Sequence, residues 1–93
     1  MISLIIRRLG EFDKAEEDVL KEDVQRAITT PGTVIMYFYS DVNAKIKSNS
    51  LAIDFVKSIS TKFLKKNGVR DTVIELKNGS SFWFVCGNGG DES

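Results

Sequence analysis

The segment Thr33-Val34-Ile35-Met36-Tyr37-Phe38-Tyr39 constrains the fold most. It is an uninterrupted apolar run of β-branched and aromatic residues. Thr29-Thr30-Pro31-Gly32 breaks the chain before it and Ser40-Asp41 closes it. A run this short between turn residues reads as a central strand covered on both faces. A helical pattern lies on either side of it in sequence. Strands alternating with helices imply parallel pairing in an α/β layer fold.

Upstream, Ile2–Arg8 reads as a strand and Leu9-Gly10-Glu11 as a turn. Asp13 is placed to cap a helix, with Glu16 three residues on as in a capping box. Val19, Leu20, Val24, Ala27 and Ile28 then fall on one helical face. Glu17–Lys21 and Glu22–Arg26 on the other face are acid-before-base pairs worth roughly 0.2–0.5 kcal/mol each. Downstream, Ser40–Ser50 has no clear period and reads as a loop, with Ser48 or Ser50 capping a second helix. Ala52, Phe55, Val56, Ile59 and Phe63 form that helix's stripe. Lys62, Lys65 and Lys66 fall in its last turn, and Gly68 just beyond its end. Thr72–Leu76 and Ser81–Cys86 read as a hairpin around Asn78-Gly79, the signature of a two-residue type I′ turn. That turn sets Lys77 opposite Ser80 and Ile74 opposite Trp83. One face then carries Ile74, Leu76, Trp83 and Val85, and the other Val73, Phe82 and Phe84. Both are partly apolar, more than one core needs, which leaves a face for a partner. The expected order is β-α-β-α-β-β: a mixed three- or four-stranded sheet with both helices on one face. Residues 1–86 form a single compact domain, followed by a flexible, Gly-rich acidic tail, 87–93.

Composition removes several functions. The chain has no histidine and one cysteine, so the usual general base, zinc ligand and Ser-His-Asp site are missing. With one cysteine no intramolecular disulfide forms, which fits a reducing, cytoplasmic compartment. Thirteen basic and thirteen acidic residues cancel, giving no global field toward nucleic acid or membrane. The N-terminal apolar run is too short for a signal peptide, and no segment is long enough to span a bilayer. The charge is uneven, however. Residues 31–79 carry eight basic and four acidic side chains, a locally cationic stretch.

Candidate sites follow from these patterns. Ser40, Asp41, Asn43, Lys45 and Lys47, with Ser48 and Ser50, lie beyond the carboxyl end of a strand and before a helix start. Anions bind in such places, although capping serines and solvated lysines explain the same residues. Lys57, Lys62, Lys65, Lys66 and Arg70, near Phe82, Trp83 and Phe84, form a candidate nucleic-acid surface of cations around stacking rings. A core strand beside a lysine-rich helix end is the plainer explanation.

Arg7-Arg8-Leu9-Gly10 matches the opening of a phosphate loop only in part, because Glu11 and Phe12 stand where Lys and Ser or Thr are needed. Together with Val34–Tyr39, the helix from Leu51 and Val73-Ile74-Glu75-Leu76-Lys77-Asn78-Gly79-Ser80-Ser81, it resembles part of a phage terminase large subunit. In that family a strand and helix follow the nucleotide loop, and then comes a hairpin with an acidic-apolar-x-Asn-Gly-Ser tip. The present chain lacks the loop lysine and an acidic strand end for magnesium, and it is far shorter. The resemblance implies at most a degenerate relative of the ATPase region.

Asp41, Glu75 and Cys86 complete the reactive inventory, at spacings that define no mechanism, and Cys86 reads as an inert thiol. The reading of the sequence is therefore a small non-enzymatic binding or regulatory protein, without metal or cofactor, acting through protein–protein contact. Its size resembles that of viral or mobile-element proteins. Tyr37, Tyr39, Phe82, Trp83 and Phe84 are the expected anchors, with self-association through the terminal strand as one form of the contact.

Overall fold

The computed structural model describes residues 3–59, 63–67 and 71–87, with side chains at 3–57 and 71–87. Seven elements run in the order β1 (Ser3–Leu9), α1 (Lys14–Thr29), β2 (Thr33–Tyr39), α2 (Val42–Ile59), β3 (Phe63–Asn67), β4 (Asp71–Leu76) and β5 (Ser81–Cys86). The α/β class and two helices are as expected, with one strand more. The five strands form one sheet in the order β1-β2-β5-β4-β3. β1, β2 and β5 are parallel, while β4 is antiparallel to both of its neighbours.

The connections explain the layering. From β1 to β2, and from β2 to β3, the chain steps across the sheet in the same direction. Crossovers between parallel strands are right-handed, so two steps in one direction place both helices on one face. Burial along β2 alternates accordingly. Thr33, Ile35, Tyr37 and Tyr39 are buried beneath the helices, while Val34, Met36 and Phe38 on the opposite face are only half-buried. The expectation that this segment is covered on both faces is thereby corrected. No element among the described residues crosses the second face.

Helix α1 begins where its sequence dictates. Asp13 accepts from the backbone N–H of Glu16 at 3.0 Å. Leu20, Val24 and Ala27 are buried against Ile35, Tyr37, Phe82 and Phe84. Helix α2 starts earlier than its apolar stripe. Asp41 is its cap, accepting from Ala44 N–H at 3.0 Å, so Val42–Ser50 is helix rather than loop and neither Ser48 nor Ser50 caps it. The 18 residues of α2 rise about 27 Å, the full length of the sheet. The chain must then reverse, and Phe63–Asn67 pairs with β4 instead of extending the helix. Lys65 and Lys66 thus lie in a strand. Lys62, Gly68, Arg70 and residues 88–93 fall outside the described residues.

The hairpin also departs from expectation. Gly79 N–H donates to the Leu76 carbonyl, and Leu76 N–H to the Ser80 carbonyl at 2.8 Å. Gly79 has φ +90, and no non-glycine residue among those described has positive φ. This is a three-residue turn with Gly in the left-handed position, not a type I′ turn. One extra turn residue shifts the register by one and exchanges the faces. Ile74 pairs with Phe82, and Val73 with Trp83. Phe82 and Phe84 join Thr72, Ile74 and Leu76 in the core, and Trp83 turns outward. The tip is fastened to the end of α1. Ser80 Oγ donates to the Ala27 carbonyl at 2.9 Å and accepts from Thr33 N–H at 3.0 Å, while Asn78 Nδ2 donates to the same Ala27 carbonyl at 2.8 Å.

Candidate functional site: the open face of the sheet

The expected anchors and anion-site residues have defined places. Tyr37, Tyr39, Phe82 and Phe84 are all at most 3% exposed, so they build the core and are not surface anchors. Tyr37 stacks on Phe84 at 5.0 Å between ring centroids. Its hydroxyl donates to Asp23 Oδ2 at 2.7 Å, and Arg7 binds the same carboxylate through Nε and Nη2 at 2.7 and 2.8 Å. Burial, then the Asp23 charge and its hydrogen bond, push the Tyr37 hydroxyl well above the ordinary tyrosine range. The hydrogen bond to Asp23 likewise raises the Arg7 guanidinium. This triad joins β1, α1 and β2, with Asp23 and Tyr37 buried and Arg7 part-exposed.

The expected anion site is not assembled. Lys45 lies within α2, not before it, and its Nζ donates to Thr72 Oγ1 at 2.8 Å in the core. Ser48 Oγ accepts from the Tyr39 hydroxyl at 2.5 Å. Burial pushes Tyr39 up to about 12. Lys47 and Ser50 face solvent on the other side of the helix. Because both helical crossovers step in one direction and lie on one face, the sheet also lacks the switch-point crevice at which doubly wound α/β sheets take ligands.

A cleft of about 900 Å3 opens at the carboxyl ends of the parallel strands, lined by Arg8, Phe38, Ser40, Asp71 and Cys86 among others. No hydrogen bond joins these side chains to one another among the described residues, and Cys86 is a free, half-buried thiol. Asp41 is engaged as a cap, and Glu75 lies near the other end of β4 from Asp71. No group of carboxylates or cysteines able to hold a metal occurs among the described residues. No helix among the described residues is long and apolar enough to cross a membrane.

The uncovered face is organised by the register. Its middle row reads Ile6–Met36–Trp83–Val73 across β1, β2, β5 and β4. On one side of it runs Arg8–Phe38–Val85–Asp71, and on the other Leu4–Val34–Ser81–Glu75. Leu4 is 58% exposed, Ile6 53% and Trp83 37%, three of the five exposed large apolar residues among those described. Trp83 is held in place: its Nε1 donates to Ser81 Oγ at 2.9 Å, so the ring extends toward the neighbouring row. Arg8 lies over the Phe38 ring, 5.1 Å from its centroid.

Of the predicted anchors, only Trp83 belongs to this surface. Leu4, Ile6, Met36 and Phe38 were not singled out. The signal for them was present, because β1 and β2 are apolar at odd and even positions alike, more than a one-sided sheet requires. The three-residue turn hid the alignment of Trp83 with them.

Fold and surface together define a two-layer α/β domain with one apolar sheet face that no described element covers. No protein-family model, curated protein or solved structure matches the chain. The terminase likeness therefore rests on the quoted residues alone.

Proposed function

We propose that this protein is a binding module that acts through protein–protein contact, with the open sheet face as its contact surface. The observation that carries the reading is the row Ile6–Met36–Trp83–Val73, an apolar stripe left uncovered by any described element. Contiguous exposed apolar surface on a small domain marks an interaction site. An aromatic ring already fixed by a hydrogen bond is a good anchor, because it loses little freedom on binding. The side chains described on this face carry one cation, Arg8, and two carboxylates, Asp71 and Glu75. That balance favours a protein over a polyanion.

The test compares capture from cell extract by the wild type and by Ile6→Asn and Trp83→Ser variants, with circular dichroism as the check on folding. A protein retained by the wild type and lost by both folded variants is the expected result. Equal retention by all three refutes the assignment of the face. Titration of single-stranded oligonucleotide against Trp83 fluorescence is the counter-test: a saturable, salt-sensitive change would transfer the face to nucleic acid.

A further inference from the structure

We infer that the partner of the open face is a second copy of the same chain, packed sheet on sheet about a twofold axis that runs parallel to the strands between β2 and β5. The inference rests on the reading of this face as a contact surface.

It follows from the order of residues along the rows. Such an axis lays the sequence of strands β1-β2-β5-β4 over its own reverse. The middle row then places Ile6 over Val73 and Met36 over Trp83 of the other copy, each contact occurring twice. The charged row places Arg8 over Asp71 and Phe38 over Val85, again twice, and the third row places Val34 over Ser81 and Leu4 over Glu75, whose carboxylate lies at the rim. Arg8 and Asp71 are at opposite ends of their row, separated by three strand spacings, or about 14 Å. Neither has an ion-pair partner among the described residues. Within one chain they are too far apart to pair. Across the twofold each meets its opposite, at a layer separation of about 10 Å that side chains from both sheets fill. An isologous interface requires this kind of self-complementarity. The alternative in-plane axis, perpendicular to the strands, stacks β1 on β1 and sets Arg8 over Leu4, leaving both charges unpaired. Edge pairing through the terminal strand is closed, because β5 is hydrogen-bonded on both sides.

The footprint sets the strength. Four strands at about 4.8 Å and five residues at about 3.3 Å project to roughly 300 Å² per copy, below what stable complexes bury. A footprint this small corresponds to a weak, reversible dimer.

The test is sedimentation equilibrium of the full chain from about 1 μM to about 1 mM, a range wide enough to reveal a weak dimer. For the wild type the average mass is expected to rise from 10.4 kDa toward twice that value. Arg8→Asp and Asp71→Arg are each expected to raise the Kd about tenfold or more, because each substitution creates two like-charge contacts. The combined R8D/D71R chain is expected to return to within about threefold of the wild type, since the pairs re-form with the signs exchanged. Circular dichroism confirms folding. If a reversal fails to fold, R8Q/D71N replaces it, and its dimerisation must lose the salt dependence shown by the wild type. A wild type that stays at 10.4 kDa, or a double reversal no better than the single ones, overturns the inference. If the wild type stays monomeric but still captures a protein through Ile6 and Trp83, only self-pairing has failed. If it captures nothing, the reading of the face fails with it.

Discussion

Replacing Asp23 by alanine isolates the strongest polar element of the core. The carboxylate is 1% exposed and accepts three hydrogen bonds of 2.7–2.8 Å, two from Arg7 and one from Tyr37. Its removal leaves the Tyr37 hydroxyl without its acceptor inside the core, at a cost of about 1–3 kcal/mol. It also takes the counter-charge from Arg7. Breaking a fully buried ion pair costs about 3–5 kcal/mol, but the Arg7 side chain is 32% exposed and can turn toward water, which reduces the second contribution. The expected total is about 3 kcal/mol, against a stability of roughly 5–14 kcal/mol for a domain of this size. Thermal denaturation should show a midpoint lowered by roughly 12–24 °C. Urea unfolding followed by Trp83 fluorescence gives the free energy directly. The triple variant R7M/D23L/Y37F removes every member of the triad together and should lie within about 1 kcal/mol of the wild type, because no charge or hydroxyl is stranded. A loss below about 1 kcal/mol for Asp23→Ala, or a triple variant as unstable as the single one, would refute the claim that orphaned partners set the cost.

Further predictions concern the tyrosines, the hairpin and the open face. Both tyrosines are held neutral by burial, so their contribution to stability is complete below pH 10 and falls as pH rises through the folded-state value, about 12 for Tyr39. In that window each tyrosine removes about 1.4 kcal/mol per pH unit. Tyrosinate absorbance should therefore appear together with loss of circular dichroism, whereas titration near pH 10 in an intact fold would contradict this. Gly79→Ala should cost about 1 kcal/mol in urea unfolding through backbone strain alone, since the added carbon meets Gly32 N at an unstrained 3.9 Å. Ile6→Thr should change the thermal midpoint by no more than the equivalent of about 0.5 kcal/mol while reducing binding of a hydrophobic dye.

The parts of the fold legible from sequence are those whose signals are local. Asp13 and Glu16 mark the start of α1, Pro31-Gly32 separates it from β2, and the limits of β2 and β5 coincide with their apolar runs. What sequence hid depends on partners far along the chain. Lys45 and Ser48 disguise the buried side of α2, because their polar ends are satisfied by Thr72 and Tyr39, residues that only the sheet brings near. Phe63–Asn67 continues a helical spacing yet joins β4, a choice made by pairing rather than propensity. The hairpin faces turn on a single residue of turn length, which exchanges the sides taken by Phe82, Trp83 and Phe84.

The position of β5 bears on how the chain folds. It follows every other described element in sequence, yet it is the middle strand, and its entry through Ser80 also fastens the end of α1. Until Ser80–Cys86 is available, β1-α1-β2 and β3-β4 are two halves with no seam between them. Each half leaves an unpaired strand edge exposed. Contacts that join positions about fifty residues apart form late and slow the search for the native state. A chain that stops short of Ser80 is thus expected to contain most of the elements and almost none of the cooperativity. During synthesis the core would close only once Ser80–Cys86 had emerged.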